Sequence, residues 1–263
     1  MRLYWEMARR GYRRYAAYPA ATWAGVFTNT AFGFMQAYIF LAVYRHRTDV
    51  GGFDVVETLT YVWLTQALIA AVQVFGWPDL ALRIKSGDIA TDLARPVHPL
   101  RIGLAFDLGR ALYHMLFRGV PPFLLGALVF EVTVPRHPLV WLAFAVSVVL
   151  AVVVSYAFRA LYNMSAFWLL DHRGTTMIAA SAIAIFSGLY VPLQFFPDGL
   201  ETFARATPFP ALVQIPVDIF VGEARGAEIL SALAMQAGWA AAMFALAHAV
   251  FAAGTRKLVV QGG

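Results

Sequence analysis

Arg110, His114 and Arg118 recur at every fourth position, and on a helix that spacing stacks three basic groups on one face. Such a stripe meets anions. At a bilayer its long cationic side chains either snorkel to inner-leaflet phosphates or form a patch that binds an anionic headgroup or substrate. Amides make a second set. Asn29, Gly33 and Gln36 fall four and three apart, and Gln66 and Gln73 seven apart, so each group shares a helical face. Polar groups on an apolar helix turn toward protein or water, where they tie helices together or contact a substrate. The third set is the polar connector at 78–97, where Arg83, Lys85, Asp88 and Asp92 face outward while Ile84, Ile89 and Leu93 lie on a membrane or a partner. Gly87 allows the bend that ends a short helix there. The connector is either a handle for a partner or an amphipathic segment resting on the bilayer.

Other chemistry is missing from the sequence. There is no HExxH, no GxSxG and no histidine cluster with metal-ligand spacing, so no catalytic or metal site is expected. Lys85-Ser86 ends like a phosphate loop, but Ile84 stands where the loop needs glycine, so the chain is not expected to hydrolyse nucleotide by itself. The absence of cysteine removes disulfides, thiolate metal sites and cysteine nucleophiles together. Asp and Glu fall almost wholly in loops, which argues against a proton-coupled carrier.

The elements that must position these residues are membrane spans. Of 263 residues, 60% are hydrophobic and only 13% charged, a composition that belongs in a bilayer. The net charge of +5 sits between apolar runs, so it speaks of orientation against anionic lipid rather than of nucleic acid. Residues 1–21 interleave arginines with aromatics and read as an amphipathic interfacial helix that stays attached. Spans follow at about Thr22–Tyr44, Val55–Phe75, Leu100–Val134 and Leu139–Phe158, the last continuing toward Leu170. Trp77-Pro78 ends the second, and Pro121-Pro122 kinks or breaks the third. Asp171-His172-Arg173-Gly174 is a tight inner turn, and a fifth span starts near Thr175. The stretch 187–222 is apolar but too rich in proline for a regular crossing, and suits a re-entrant outer hairpin acting as a structural lid or as a gate. Ile229–Ala253 is the sixth span.

The expectation is therefore an all-α integral membrane protein of a single domain, residues 1–263, with six transmembrane helices. Placing both termini in the cytoplasm puts about fifteen of the twenty Lys and Arg residues inside, as the positive-inside rule requires.

That layout resembles the permease subunits of ABC-2 type exporters. Ile84-Lys85-Ser86-Gly87-Asp88-Ile89 followed by Leu93-Ala94-Arg95-Pro96-Val97 is similar to the "x-G-x-I … L-x-R-P-V" loop of one bacterial branch. Ser187-Gly188-Leu189-Tyr190-Val191-Pro192-Leu193 with Phe196-Pro197, and the closing Gln261-Gly262-Gly263, also resemble that branch. The resemblance implies a half-transporter in the cell membrane: two permeases, identical or homologous, over two copies of an ABC ATPase that bind the ATP and Mg. It makes the connector between spans two and three a coupling helix, with Asp79, Leu82, Arg83, Lys85, Gly87, Asp88 and Ile89 at the ATPase. A hydrophobic or amphipathic substrate then moves along faces bearing Asn29, Gln36, Gln66 and Gln73 and leaves past Phe195 and Phe196. Arg110, His114 and Arg118 remain the site for anionic lipid. The rival classes are a lipid-processing membrane enzyme, which lacks a nearby acid, base or nucleophile, and a non-transporting scaffold or immunity protein.

Overall fold

The computed structural model describes residues 1–73, 76, 78–169 and 173–257. In chain order the helices are α1 (Arg2–Ala16), α2 (Pro19–Tyr44), α3 (Val55–Leu68), α4 (Asp79–Ser86), α5 (Ile89–Leu93), α6 (Pro99–His114), α7 (Val120–Val129), α8 (Pro138–Met164), α9 (Arg173–Phe186), α10 (Asp198–Arg205), α11 (Gln214–Val221) and α12 (Ala227–Thr255). Among the described residues there is no strand beyond one isolated bridge between Val50 and Phe53. The second span's end at Phe75 and Trp77, the turn at Asp171-His172 and the closing Gln261-Gly262-Gly263 lie outside the described residues.

Among the described residues, five helical stretches are long and apolar enough to cross a membrane: Pro19–Tyr44, Val55–Gln73, Pro99–Val129, Pro138–Phe167 and Ala227–Thr255. The expected span after Thr175 is α9, with only 14 residues. At 1.5 Å per residue it covers about 21 Å, short of a hydrocarbon core of about 30 Å. Polarity is inside out relative to a water-soluble bundle. Trp23, Phe27, Leu128 and Leu230 are mostly exposed, whereas Asn29, Gln66, Asp107, Arg110, Gln214 and Gln236 are buried. That arrangement suits lipid as solvent, because an unpaired polar group in hydrocarbon costs several kcal/mol while apolar side chains cost nothing there.

The core joins Tyr61, Leu64 and Leu68 of α3 to Phe144, Ala151 and Val154 of α8, with α11 wedged between through Val217 and Phe220. Phe220 meets Phe144, Trp141 and Phe123 edge-on at 5.0, 5.1 and 5.8 Å. The α1 helix lies directly on α6. A methyl added at Gly11 would strike the Phe106 carbonyl, and one at Gly109 the Ala8 carbonyl, so the two backbones touch. The arginine-rich first helix is therefore a packed element as well as an amphipathic one.

Two long helices change pitch midway. A π-helical turn, Ile69–Gln73, extends α3, and another, Met115–Gly119, separates α6 from α7. Pro121 and Pro122 explain the second, since they deny donors to carbonyls one turn upstream and the widened turn falls there rather than at the prolines. The stretch 187–222 folds as short 3-10 turns with α10 and α11. Its hub is Gln214, whose Oε1 accepts from the Leu193 amide at 3.1 Å and lies 2.7 Å from the Tyr61 hydroxyl. Its Nε2 donates to Gln194 at 2.9 Å and to Asp218 at 2.6 Å.

Candidate functional site

The connector folds as two short helices divided at Gly87, whose φ of 80° lies in the left-handed region that glycine tolerates. Asp79 sits in the first turn of α4 and Arg83 and Lys85 in its last, so the charges complement the helix dipole. Ala81, Ile84 and Ile89 are buried, the isoleucines against Leu100, Ala160, Met164, Ala247 and Phe251. The Ala81 amide also donates to Asn163 Oδ1 at 3.2 Å. The buried side of the segment thus rests on α8 and α12. Asp79, Leu82, Arg83, Lys85, Gly87 and Asp88 remain on the exposed side.

Three expectations change here. Ile89 has no exposed surface, so it anchors the segment and cannot touch a partner. Asp92 turns inward and pairs with Arg83, with Arg95 at 3.8 Å, while Leu93 points out. The reason is the left-handed break, which rotates α5 so that one helical period cannot be read across Gly87.

Behind α4 lies a cavity of about 370 Å³ whose wall runs from Asp79, Arg83, Asp92 and Arg95 to Asp107, Arg110 and Arg159. Asp107 is the centre of that far wall. Arg110 Nε lies 2.7 Å from its Oδ1, and Arg159 Nη2 lies 2.5 Å from its Oδ2. Arg159 also donates to Gln73 Oε1 at 2.9 Å. Arg110 in turn donates to the carbonyls of Ala70 and Ala71 at 2.7 and 2.8 Å, and Ser155 donates to that of Val72. At the π turn after α3, side chains from α6 and α8 thus donate to three successive backbone carbonyls. A cation at this carbonyl end is also favoured by the helix dipole.

One polar chain therefore connects the connector with the broken end of α3. Asn163 receives the Ala81 amide and donates to the Arg159 carbonyl at 2.7 Å; Arg159 and Arg110 share Asp107; Arg110 holds Ala70 and Ala71. The links from Ala81 to Asn163, from Arg159 to Asp107 and from Arg110 to Ala70 and Ala71 join elements far apart in sequence, and the two between them are local contacts within α8 and α6.

The basic stripe is not one lipid-facing surface. Arg110 is 2% exposed and committed to Asp107 and two carbonyls. His114 is buried against the Tyr15 ring at 4.7 Å, and Arg118 is partly buried beside Gly25. The expectation that acidic residues lie almost wholly in loops also fails, since Asp107 is in the middle of α6. Its signal was present as Asp107-x-x-Arg110, an i,i+3 pair whose second partner, Arg159, lies in the part of α8 that looked too long to cross.

Three of the four amides do come together. Asn29 donates to the Gln66 carbonyl at 3.0 Å, Gln66 to Gln36 Oε1 at 2.9 Å, and Gln36 to the Tyr190 carbonyl at 3.4 Å. Gln73 does not join them. The π turn rotates it away, to a φ of 55° and toward Arg159, so a seven-residue spacing no longer means a shared face. Phe195 packs edge-on to Phe40 and Phe53 at 5.9 and 6.1 Å, pinning the 187–222 stretch to α2, and Phe196 beside it is partly buried.

Residues 30–262 match the model of a family described as ABC-2 family transporter protein. No curated protein and no solved structure matches the chain.

Proposed function

This chain belongs to the ABC-2 family of transporter proteins, and from that premise we propose that it is the permease subunit of an ATP-driven exporter whose motor is a separate polypeptide. Two copies of an ABC ATPase bind ATP and Mg on the cytoplasmic side and press on the exposed side of α4–α5. A second permease, identical or homologous, completes the membrane route. The single observation that carries this reading is the buried polar chain from Ala81 through Asn163, Arg159, Asp107 and Arg110 to Ala70 and Ala71. A subunit that receives work needs a stiff path from its contact to its spans. Here a push on α4 moves the nearby ends of α8 and α12 as one packed body through Ile84 and Ile89. The same push reaches α6 at Asp107 and Arg110 and α3 at its π turn, where that helix is least regular.

In this reading α9 with the segment leading to Ser187 completes six crossings, both termini face the cytoplasm, and the hairpin 187–222 lies at the outer face. The distribution of basic residues supports that orientation. The substrate is hydrophobic or amphipathic and moves beside the α2–α3 pair. Asn29, Gln36 and Gln66 stiffen that wall, Gln73 belongs to its coupling end, and exit is past Phe195 and Phe196. The exposed residues Asp79, Leu82, Lys85, Gly87 and Asp88 form the ATPase contact, with Arg83 beside them in its pair with Asp92. Charge reversal at Arg83 and Lys85 tests this. It uncouples ATP hydrolysis from export while the permease still inserts, and unchanged export removes the assignment.

A further inference from the structure

The cavity behind α4 is not the only one. A second, of about 280 Å³, opens at the joint between α1 and α2 and is lined by Tyr15, Tyr18, Thr22, Asn29, His114 and Arg118, with the π turn after α3 as its floor. Both neighbouring spans change pitch at this level: Ile69, Ala70 and Gln73 come from one π turn and Arg118 from the other. Such turns open space that a regular helix would fill, and they recur at functional sites.

Two side chains of this cavity have polar atoms with nothing to bind. His114 is 7% exposed, and its Nδ1 has no hydrogen-bond partner. Arg118 Nε is buried and equally unpartnered, and among the described residues no carboxylate pairs with this guanidinium. The nearest acid on the same helix, Asp107, is already divided between Arg110 and Arg159. The space for Arg118 is built, because a methyl on Gly25 of α2 would overlap its guanidinium. An unpaired guanidinium nitrogen and a buried imidazole nitrogen are costly in a membrane protein unless a ligand completes them.

We propose that this cavity binds an oxyanion, a phosphate or carboxylate, with Arg118 as the charge partner and His114 and the two tyrosines as hydrogen-bonding walls. Arg110 takes no part, being fully committed elsewhere. The volume suits a headgroup and not a whole lipid. Tyr18 at the mouth is 67% exposed, and Phe117 beside Arg118 and Trp23 near Gly25 present exposed apolar surface on which chains can lie. The ligand is thus the headgroup of an anionic amphiphile or a small free anion of the same chemistry. The inference requires only that the chain is inserted and folded, and no ATPase enters it.

The test uses the full chain in neutral detergent, titrated with phosphatidylglycerol, phosphatidylcholine or inorganic phosphate, with bound molecules counted by native mass spectrometry. Phosphatidylglycerol is expected to bind about tenfold more weakly to Arg118→Gln, with partial recovery in Arg118→Lys, while phosphatidylcholine is indifferent to both. If inorganic phosphate competes at the same Arg118-dependent site, the free anion is a source as well; if it does not, the lipid headgroup is the source. A second readout needs no variant: modification of His114 by diethylpyrocarbonate, located by peptide mapping, should slow with phosphatidylglycerol and not with phosphatidylcholine. Equal binding in the parent and Arg118→Gln, or His114 modification untouched by either anion, overturns the proposal.

Discussion

Asp107 on α6 and Arg159 on α8, 52 positions apart, meet through two hydrogen bonds, Nη2 to Oδ2 at 2.5 Å and Nη1 to Oδ1 at 3.2 Å. Arg110 occupies the same carboxylate from its own helix, so one acid compensates two guanidinium groups, of which Arg110 also donates to the backbone carbonyls of Ala70 and Ala71 and Arg159 to the Gln73 side chain. Removing the acid alone is then worse than removing a pair. Asp107→Leu should destabilise the chain by about 3–5 kcal/mol in detergent, because two buried cations lose their counterion. The double change Asp107→Leu with Arg159→Leu should cost less than the sum of the single changes, as a double-mutant cycle on chemical unfolding will read. Additive losses would mean that the two residues do not act as a pair.

The connector has an inner and an outer side, and the two should fail differently. Ile89→Ala empties a fully buried position and should cost about 2–5 kcal/mol of stability. Leu82→Glu changes an exposed one and should leave the unfolding midpoint within about 0.5 kcal/mol of the parent while abolishing substrate export. Reconstituted export measured beside thermal unfolding separates them, and a stable Ile89→Ala chain would contradict the packing described for α5.

Backbone contact between α1 and α6 gives a third expectation. Gly109→Val places side-chain atoms where the Ala8 carbonyl lies, so α1 should swing away from α6. With no native cysteine, Ala8→Cys can be labelled cleanly: maleimide reaction should be slow in the parent background and several-fold faster with Gly109→Val. Equal rates would show that α1 rests on lipid alone.

These cases also show how far the residues themselves carry. The long apolar runs, the helix stop at Gly87 and the lack of a regular long helix in the proline-rich stretch 187–222 were legible, because length, composition and a left-handed glycine are local signals. The distant partners of Arg110 were not, although Asp107-x-x-Arg110 leaves a local signal. Periodicity placed it on a stripe with His114 and Arg118, yet what decides its role is a pair of backbone carbonyls some 40 residues earlier and an arginine on α8 that shares its acid, and neither leaves a local trace. Gln73 failed for a related reason, since a π turn changes the period on which the face was counted. Sequence spacing also could not say whether the connector rests on lipid or on protein; the partners of Ile84 and Ile89 come from α8 and α12.

His98 supplies a pH dependence. It caps α6 by accepting from the Leu100 amide at 3.2 Å, and its ring lies 4.5 Å from that of His248 and 5.1 Å from that of Phe251. Burial, then the neighbouring His248 and Arg101, lowers its pKa below the ordinary histidine value. Below about pH 6.5 the unfolded chain takes up a proton that the folded one resists, so stability should fall as pH drops from there toward the folded value and stay level above. His98→Asn keeps a capping group and removes the proton uptake, so its unfolding midpoint should lose less between about pH 7.5 and 5.5 than the parent's. An identical slope in both would remove His98 from the account.

The central claim is that an external motor grips the outer side of α4–α5, and a photo-crosslinking amino acid placed at Leu82 or Lys85 in native membranes tests it most directly. The predicted result is an adduct to a nucleotide-binding subunit, with a yield that changes when ATP is supplied. Adducts to lipid alone, or a crosslinker reached only from the outer side of the membrane, would contradict it.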